Sequence, residues 1–91
     1  MTTQNKILNI LSKYINGNIL KIEIDYIRYD DWYVIYLCPV DDLIFYTHKI
    51  FVQEYGTSTV INFKDKRYDF IHNDSFDNKL SHLLSDIILS V

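Results

Sequence analysis

Trp32-Tyr33-Val34-Ile35-Tyr36-Leu37-Cys38 is a run of seven apolar or aromatic residues with no polar position to break it. Branched and aromatic side chains over this length read as a β-strand. Pro39 ends it, because proline cannot donate to a ladder. Successive side chains of a strand point to opposite faces of the sheet. This strand therefore offers an apolar surface on both sides, whereas a sheet in a 91-residue chain is expected to bury one side and wet the other. One set of alternating residues goes to the core, and the other is left for something else to cover.

The flanking sequence supplies the rest of the sheet. Ile7, Leu8, Ile10, Leu11, Tyr14 and Ile15 recur at helical spacing, with Thr2 or Thr3 as N-cap and Asn16-Gly17 as stop. Leu20, Ile22, Ile24 and Tyr26 then alternate with Lys21, Glu23 and Asp25, a strand with one dry face. Further strands are expected at 32–38, 43–53, 58–64 and 67–72. Phe76, Leu80, Leu83, Leu84, Ile87 and Ile88 form the apolar stripe of a closing helix, capped by Asn73, Asp74 or Ser75. The expectation is a single α+β domain over residues 1–91. It is a five-stranded antiparallel meander with the N-terminal and C-terminal helices packed on one face, in the order α-β-β-β-β-β-α.

Register assigns the faces. With Asp30-Asp31 as a two-residue turn, Tyr29 faces Trp32, Ile27 faces Val34 and Asp25 faces Tyr36, and directly opposed residues share a face. Lys21, Glu23 and Asp25 mark that face as the outer one. Ile27, Tyr29, Trp32, Val34, Tyr36 and Cys38 then point outward, and Tyr33, Ile35 and Leu37 point to the core. A four-residue turn at 39–42 adds Leu43, Phe45, Thr47 and Lys49 to the outside and Ile44, Tyr46, Ile50 and Val52 to the inside. Continuing the meander places Ile61, Phe63, Tyr68 and Phe70 inside, with Asn62, Lys64, Arg67 and Asp69 outside. A turn longer or shorter by one residue at Asp30-Asp31 would invert the second strand and exchange its two faces. Asp-Asp is also a poor pair for a tight two-residue turn.

Composition narrows the function classes. The apolar share of 48% and charged share of 23% are those of an ordinary globular chain. A net charge of −3 disfavours nucleic acid as a partner and suits a basic protein. The lone Cys38 allows no intrachain disulfide, which together with the absence of a signal layout at Met1 to Asn5 gives a cytoplasmic expectation. No apolar run is long enough to suggest a membrane span. Alanine is absent and Phe, Tyr, Met, Ile, Asn and Lys far outnumber Gly, Pro and Arg, a usage that follows AT-rich codons and fits a low-GC bacterium, phage or mobile element.

No residue set reads as catalytic, and none implies a metal or cofactor. His82 and Asp86 are one helical turn apart but fall on the polar side of their helix. His72-Asn73-Asp74 sits at a strand-to-helix junction, where Asn and Asp serve as caps. His48 is expected on the inner face, and Cys38 has no nearby base to activate it. Lys64, Lys66 and Arg67 cluster at a hairpin tip. The residues left for function are Ile27, Tyr29, Trp32, Val34, Tyr36 and Phe45 as an aromatic and apolar patch, with Asp30, Asp31, Asp41 and Asp42 as an acidic rim. Exposed patches of this kind mark interfaces, and Trp and Tyr are the commonest binding anchors.

A small acidic α+β chain with aromatic residues and carboxylates on a sheet face is similar in type to bacterial toxin-immunity proteins and phage-encoded inhibitors. The similarity covers no specific residue. The expected function is a non-enzymatic protein-binding inhibitor of the immunity or antitoxin kind, directed at a basic partner such as a toxin or defence nuclease. Two alternatives stand beside it: a phage inhibitor of a host defence complex, and a self-associating structural or accessory protein whose patch meets its own copy in a homodimer.

Overall fold

The computed structural model describes residues 2–15, 20–27, 31–39 and 48–90. Its elements are helix α1 (Thr3–Ile15), strands β1 (Leu20–Tyr26), β2 (Trp32–Pro39), β3 (His48–Tyr55), β4 (Ser58–Phe63) and β5 (Lys66–Ile71), and helix α2 (Phe76–Leu89). The strands form one antiparallel sheet in chain order, β1-β2-β3-β4-β5. This is the expected α+β meander with a helix at each end.

Each helix is set by its sequence. Thr2 accepts the backbone N–H of Asn5 on its hydroxyl (3.2 Å) and opens α1. Ile7 and Leu11, one turn apart, are fully buried. At α2 the side-chain carbonyl of Asn73 accepts both the N–H (3.1 Å) and the hydroxyl (2.9 Å) of Ser75, which turns the chain from β5 into the helix. Phe76, Leu80, Leu83, Leu84, Ile87 and Ile88 are then all buried. Asp77 in the first turn suits the helix dipole and meets Lys6 of α1 at 2.8 Å.

Both helices lie against the same face of the sheet. The core joins Ile7 and Leu11 of α1 and the α2 stripe to Tyr33, Ile35 and Leu37 of β2, Ile50 and Val52 of β3, Ile61 and Phe63 of β4, and Phe70 of β5. Tyr68 and Ile24 pack against its edge. Burying such side chains contributes about 1.5–3 kcal/mol each, so this face carries most of the folding energy. The division of the seven-residue run is as the alternation requires: Tyr33, Ile35 and Leu37 have no exposed surface.

The register differs from the expected one, and the difference keeps the faces. Asp25 pairs with Val34 and Glu23 with Tyr36, two residues away from the expected alignment. The Ile27 N–H donates to the Trp32 carbonyl (3.0 Å), so the connection between β1 and β2 is four residues long, not two. The poor fit of Asp-Asp to a tight turn is the physical reason. Tyr33 pairs with Val52 and Tyr36 with Lys49, an alignment four residues from the expected one. Both offsets are even, and a pleat of period two returns every side chain to the same face. Strand β3 starts at His48, so the part of the expected strand before it lies outside the described residues.

The last hairpin closes through Lys64 and Asp65, one residue earlier than expected, with φ of 48° and 64°. Two successive left-handed residues between the paired Phe63 and Lys66 make a type I′ turn. This conformation suits Asn-Gly far better than Lys-Asp, and each non-glycine residue held there is strained by about 1 kcal/mol. Replacing Lys64→Asn together with Asp65→Gly should raise unfolding stability by about 1 kcal/mol, read from urea denaturation midpoints. An unchanged or lower midpoint would show that the wild-type side chains compensate the turn.

Candidate functional site: the uncovered sheet face

The face opposite the helices is formed by the alternate residues of each strand. Reading across the ladders, one row runs Ile27, Trp32, Gln53, Val60, Asp69, and the next runs Asp25, Val34, Phe51, Asn62, Arg67. Tyr36 and Lys49 follow on one side, and Tyr55, Ser58 and Ile71 on the other. No helix among the described residues covers these rows.

Three grades of exposure divide the face. Val34 and Val60 are almost fully covered, at 4% each, although no helix lies over them. In the ladder Val34 stands between Asp25 and Phe51, and Val60 between Gln53 and Asp69, while Trp32 and Tyr36 lie two residues to either side of Val34 on β2. Trp32 and Tyr36 are half-buried. Ile27, Phe51, Tyr55 and Ile71 are exposed. Val34, expected to offer contact surface, is buried instead.

Of the residues expected at a binding face, Ile27, Trp32, Val34 and Tyr36 are brought together at the β1–β2 side, whereas the Asp31 carbonyl accepts the Glu54 N–H one step beyond the Trp32–Gln53 pair, so Asp31 has the parity of the helix-covered side. Tyr29, Asp30, Asp41, Asp42 and Phe45 lie outside the described residues, as does the side chain of Cys38. Phe51 and Tyr55 were missed, although both share the parity of Lys49, which was assigned outward. Ile71 was missed because the last two strands were expected to be wet. Their outer positions are mixed: Asn62, Arg67 and Asp69 are polar, but Val60 and Ile71 are not.

Charge is graded along the strands. Near Ile27 and Trp32 stands the exposed Asp25, with the exposed Asp31 in the turn beside it. Toward the opposite end Lys49 sits over the Tyr36 ring, 5.8 Å from its centroid. Arg67 and Asp69 pair with each other at 3.0 Å on β5. Thus the apolar patch is acidic where β1 meets β2 and basic near the start of β3.

The titratable groups on the helix-covered side have structural explanations. His72 and the fully buried Thr59 share a hydrogen bond of 2.7 Å, and the His72 ring packs 4.6 Å from that of Phe76. His82 and Asp86 are both exposed on α2. No group of three metal-ligating side chains occurs among the described residues. No helix among them is long and apolar enough to cross a membrane. No protein-family model, curated protein or solved structure matches this chain.

Two groups make testable statements about this side. The Tyr33 hydroxyl is buried with no hydrogen-bond partner. Burial, reinforced by the nearby Glu54 carboxylate, pushes its pKa far above the ordinary phenol value. Because an unsatisfied hydroxyl costs about 1–3 kcal/mol, Tyr33→Phe should stabilise the fold by about 1 kcal/mol. A clear loss in thermal midpoint would reveal a partner for the hydroxyl.

His48 is half-buried against the Phe63 ring, with centroids 6.1 Å apart. Burial first, and the charge of Lys64 second, lower its pKa from 6.5. The folded state then binds this proton less readily than the unfolded chain, so stability falls as pH drops below 6.5, until His48 protonates in the folded state too. His48→Gln should flatten that acid-side slope, measured as denaturation midpoint against pH. An unaltered slope would show that other groups carry it.

Proposed function

We propose that this chain is a non-catalytic protein-binding inhibitor, of the immunity or antitoxin kind, that occludes a basic site on its partner with the uncovered face of its sheet. The observation that carries this reading is the composition of that face. It places the only tryptophan of the chain beside Tyr36, Phe51 and Ile27, on a rigid sheet whose other side already holds the core. Large aromatic side chains fixed by their neighbours lose little rotamer freedom on binding, which is why they dominate binding energies.

Trp32 is the central anchor in this reading. It lies between Ile27 and Gln53 in the ladder and is half-buried before any partner arrives, so its rotamer is already restricted. Asp25 on the same face and the exposed Asp31 in the adjoining turn supply the acidic rim. Exposed carboxylates in such positions chiefly accelerate and orient association with a basic surface, and salt weakens them. Lys49 over Tyr36 limits the acidic character to the β1–β2 side, so the basic group of the partner is placed there.

The test compares wild type, Trp32→Ala and Asp25→Lys/Asp31→Lys as baits in lysate of the native host. Any retained protein is then purified and titrated. Trp32→Ala should weaken its binding by about 2 kcal/mol, roughly 30-fold, while circular dichroism shows the fold intact. The lysine variant should slow association most at low salt. A folded Trp32→Ala chain that binds the purified partner as wild type does would remove the face from the proposal. Failure of the chain to neutralise the partner's activity would remove the inhibitory role.

A further inference from the structure

Strand β5 ends the sheet, paired on one side with β4 and on the other with nothing among the described residues. Its hydrogen-bonding pattern is fixed by the bond from the His72 N–H to the Thr57 carbonyl (3.0 Å), which continues the β4–β5 ladder past Ser58 and Ile71. Hydrogen-bonded and non-bonded pairs alternate in an antiparallel ladder. Phe70, Tyr68 and Lys66 therefore turn their N–H and C=O groups toward β4. Arg67 and Asp69 turn theirs to the free edge, and both side chains lie on the uncovered face, 64% exposed.

We infer that this edge pairs with a second copy of the same chain, β5 against β5 in antiparallel fashion, with Arg67 of each copy opposite Asp69 of the other. Charge selects both the occupant and the register. An antiparallel partner must oppose edge-facing residues to one another, which for two identical strands leaves three choices around Arg67 and Asp69. One sets Arg67 against Arg67 and another sets Asp69 against Asp69, and like charges directly opposed destabilise a sheet. The third sets Arg67 against Asp69 twice about a two-fold axis through Tyr68, each pair exchanging two backbone hydrogen bonds. Of the three registers that oppose Arg67 and Asp69 to one another, the edge is complementary to itself in that one alone.

On the helix-covered side, Leu83 and Asp86 of α2 line a groove with Phe63, Lys66 and Tyr68. Charged residues on an edge strand commonly guard it against pairing. Here opposite signs alternate, so that of the registers opposing Arg67 and Asp69 to each other only one is free of like-charge pairs.

The contact joins short strands flanked by one helix, the small end of specific interfaces, so a micromolar dimer is expected. It does not depend on the inhibitory role of the sheet face. Sedimentation equilibrium of the full chain over roughly 1–100 µM should show a concentration-dependent dimer. Asp69→Arg should be monomeric throughout that range, because two arginine pairs then oppose each other. Arg67→Asp/Asp69→Arg, which restores the pairing with signs exchanged, should dimerise again. Both side chains are exposed, so circular dichroism melts should show all three chains folded. Trp32→Ala should leave the dimer intact. A wild type that stays monomeric, a dimer unaffected by Asp69→Arg, a folded double variant that stays monomeric, or a dimer split by Trp32→Ala would each overturn the inference.

Discussion

The pleat of β2 is the constraint from which the rest of the molecule follows. Tyr33, Ile35 and Leu37 are driven beneath the two helices, where they lose all exposure. Once they are there, Trp32, Val34 and Tyr36 have no freedom to join them, because successive side chains must leave on opposite sides. The neighbouring strands are held to the same division by their ladders: Ile24 and Ile50 lie beside Ile35, and Asp25 and Phe51 beside Val34. A sheet with one strand apolar on both sides and two helices on a single side is necessarily lopsided. Its second apolar surface is a product of β2 and does not depend on the helices.

That surface meets part of its own demand. Val34 and Val60 are buried although no helix among the described residues lies over them, so a small second core exists on that side. Trp32 and Tyr36 beside Val34 on β2 are half-buried. This preorganisation distinguishes the face from a scatter of exposed apolar residues, which is ordinary on any protein surface.

The fold was legible in the sequence because its signals are periodic and redundant. The helix stripes at Ile7 and Leu11 and from Phe76 to Ile88, the alternation in β1 and the Pro39 stop each point to one element. The face assignment survived these register shifts for a specific reason. Polar residues on several strands, among them Asp25, Lys49, Asn62 and Arg67, vote on parity, whereas the turn lengths determine only how far a strand slides. The length of the β1–β2 connection was not legible, because Asp-Asp argues against a two-residue turn without saying what replaces it. The depth of Val34 was hidden for a different reason. Coverage depends on which residues stand opposite, so an alignment wrong by two or four residues keeps the face and loses the neighbours. Phe51 was overlooked for the same cause, as the expected register gave its place opposite Val34 to Thr47.

The two surfaces singled out lie at opposite sides of the sheet, and their separation limits what they can do together. The aromatic patch is centred on β2, and the self-complementary edge is β5. Neighbouring strands are spaced about 4.8 Å. In a dimer joined along β5, the two β2 strands would thus be seven spacings, roughly 34 Å, apart across a twisted sheet. No single small partner domain would reach both patches from one docking site. Each patch would then act independently unless the partner were itself two-fold, in which case the fixed spacing would convert a modest single contact into a much tighter bivalent one. A flexible tether could adjust to many partner geometries, but a continuous ladder cannot. The edge contact would therefore work as a geometric filter, favouring partners whose basic sites repeat at that distance and adding nothing for the rest.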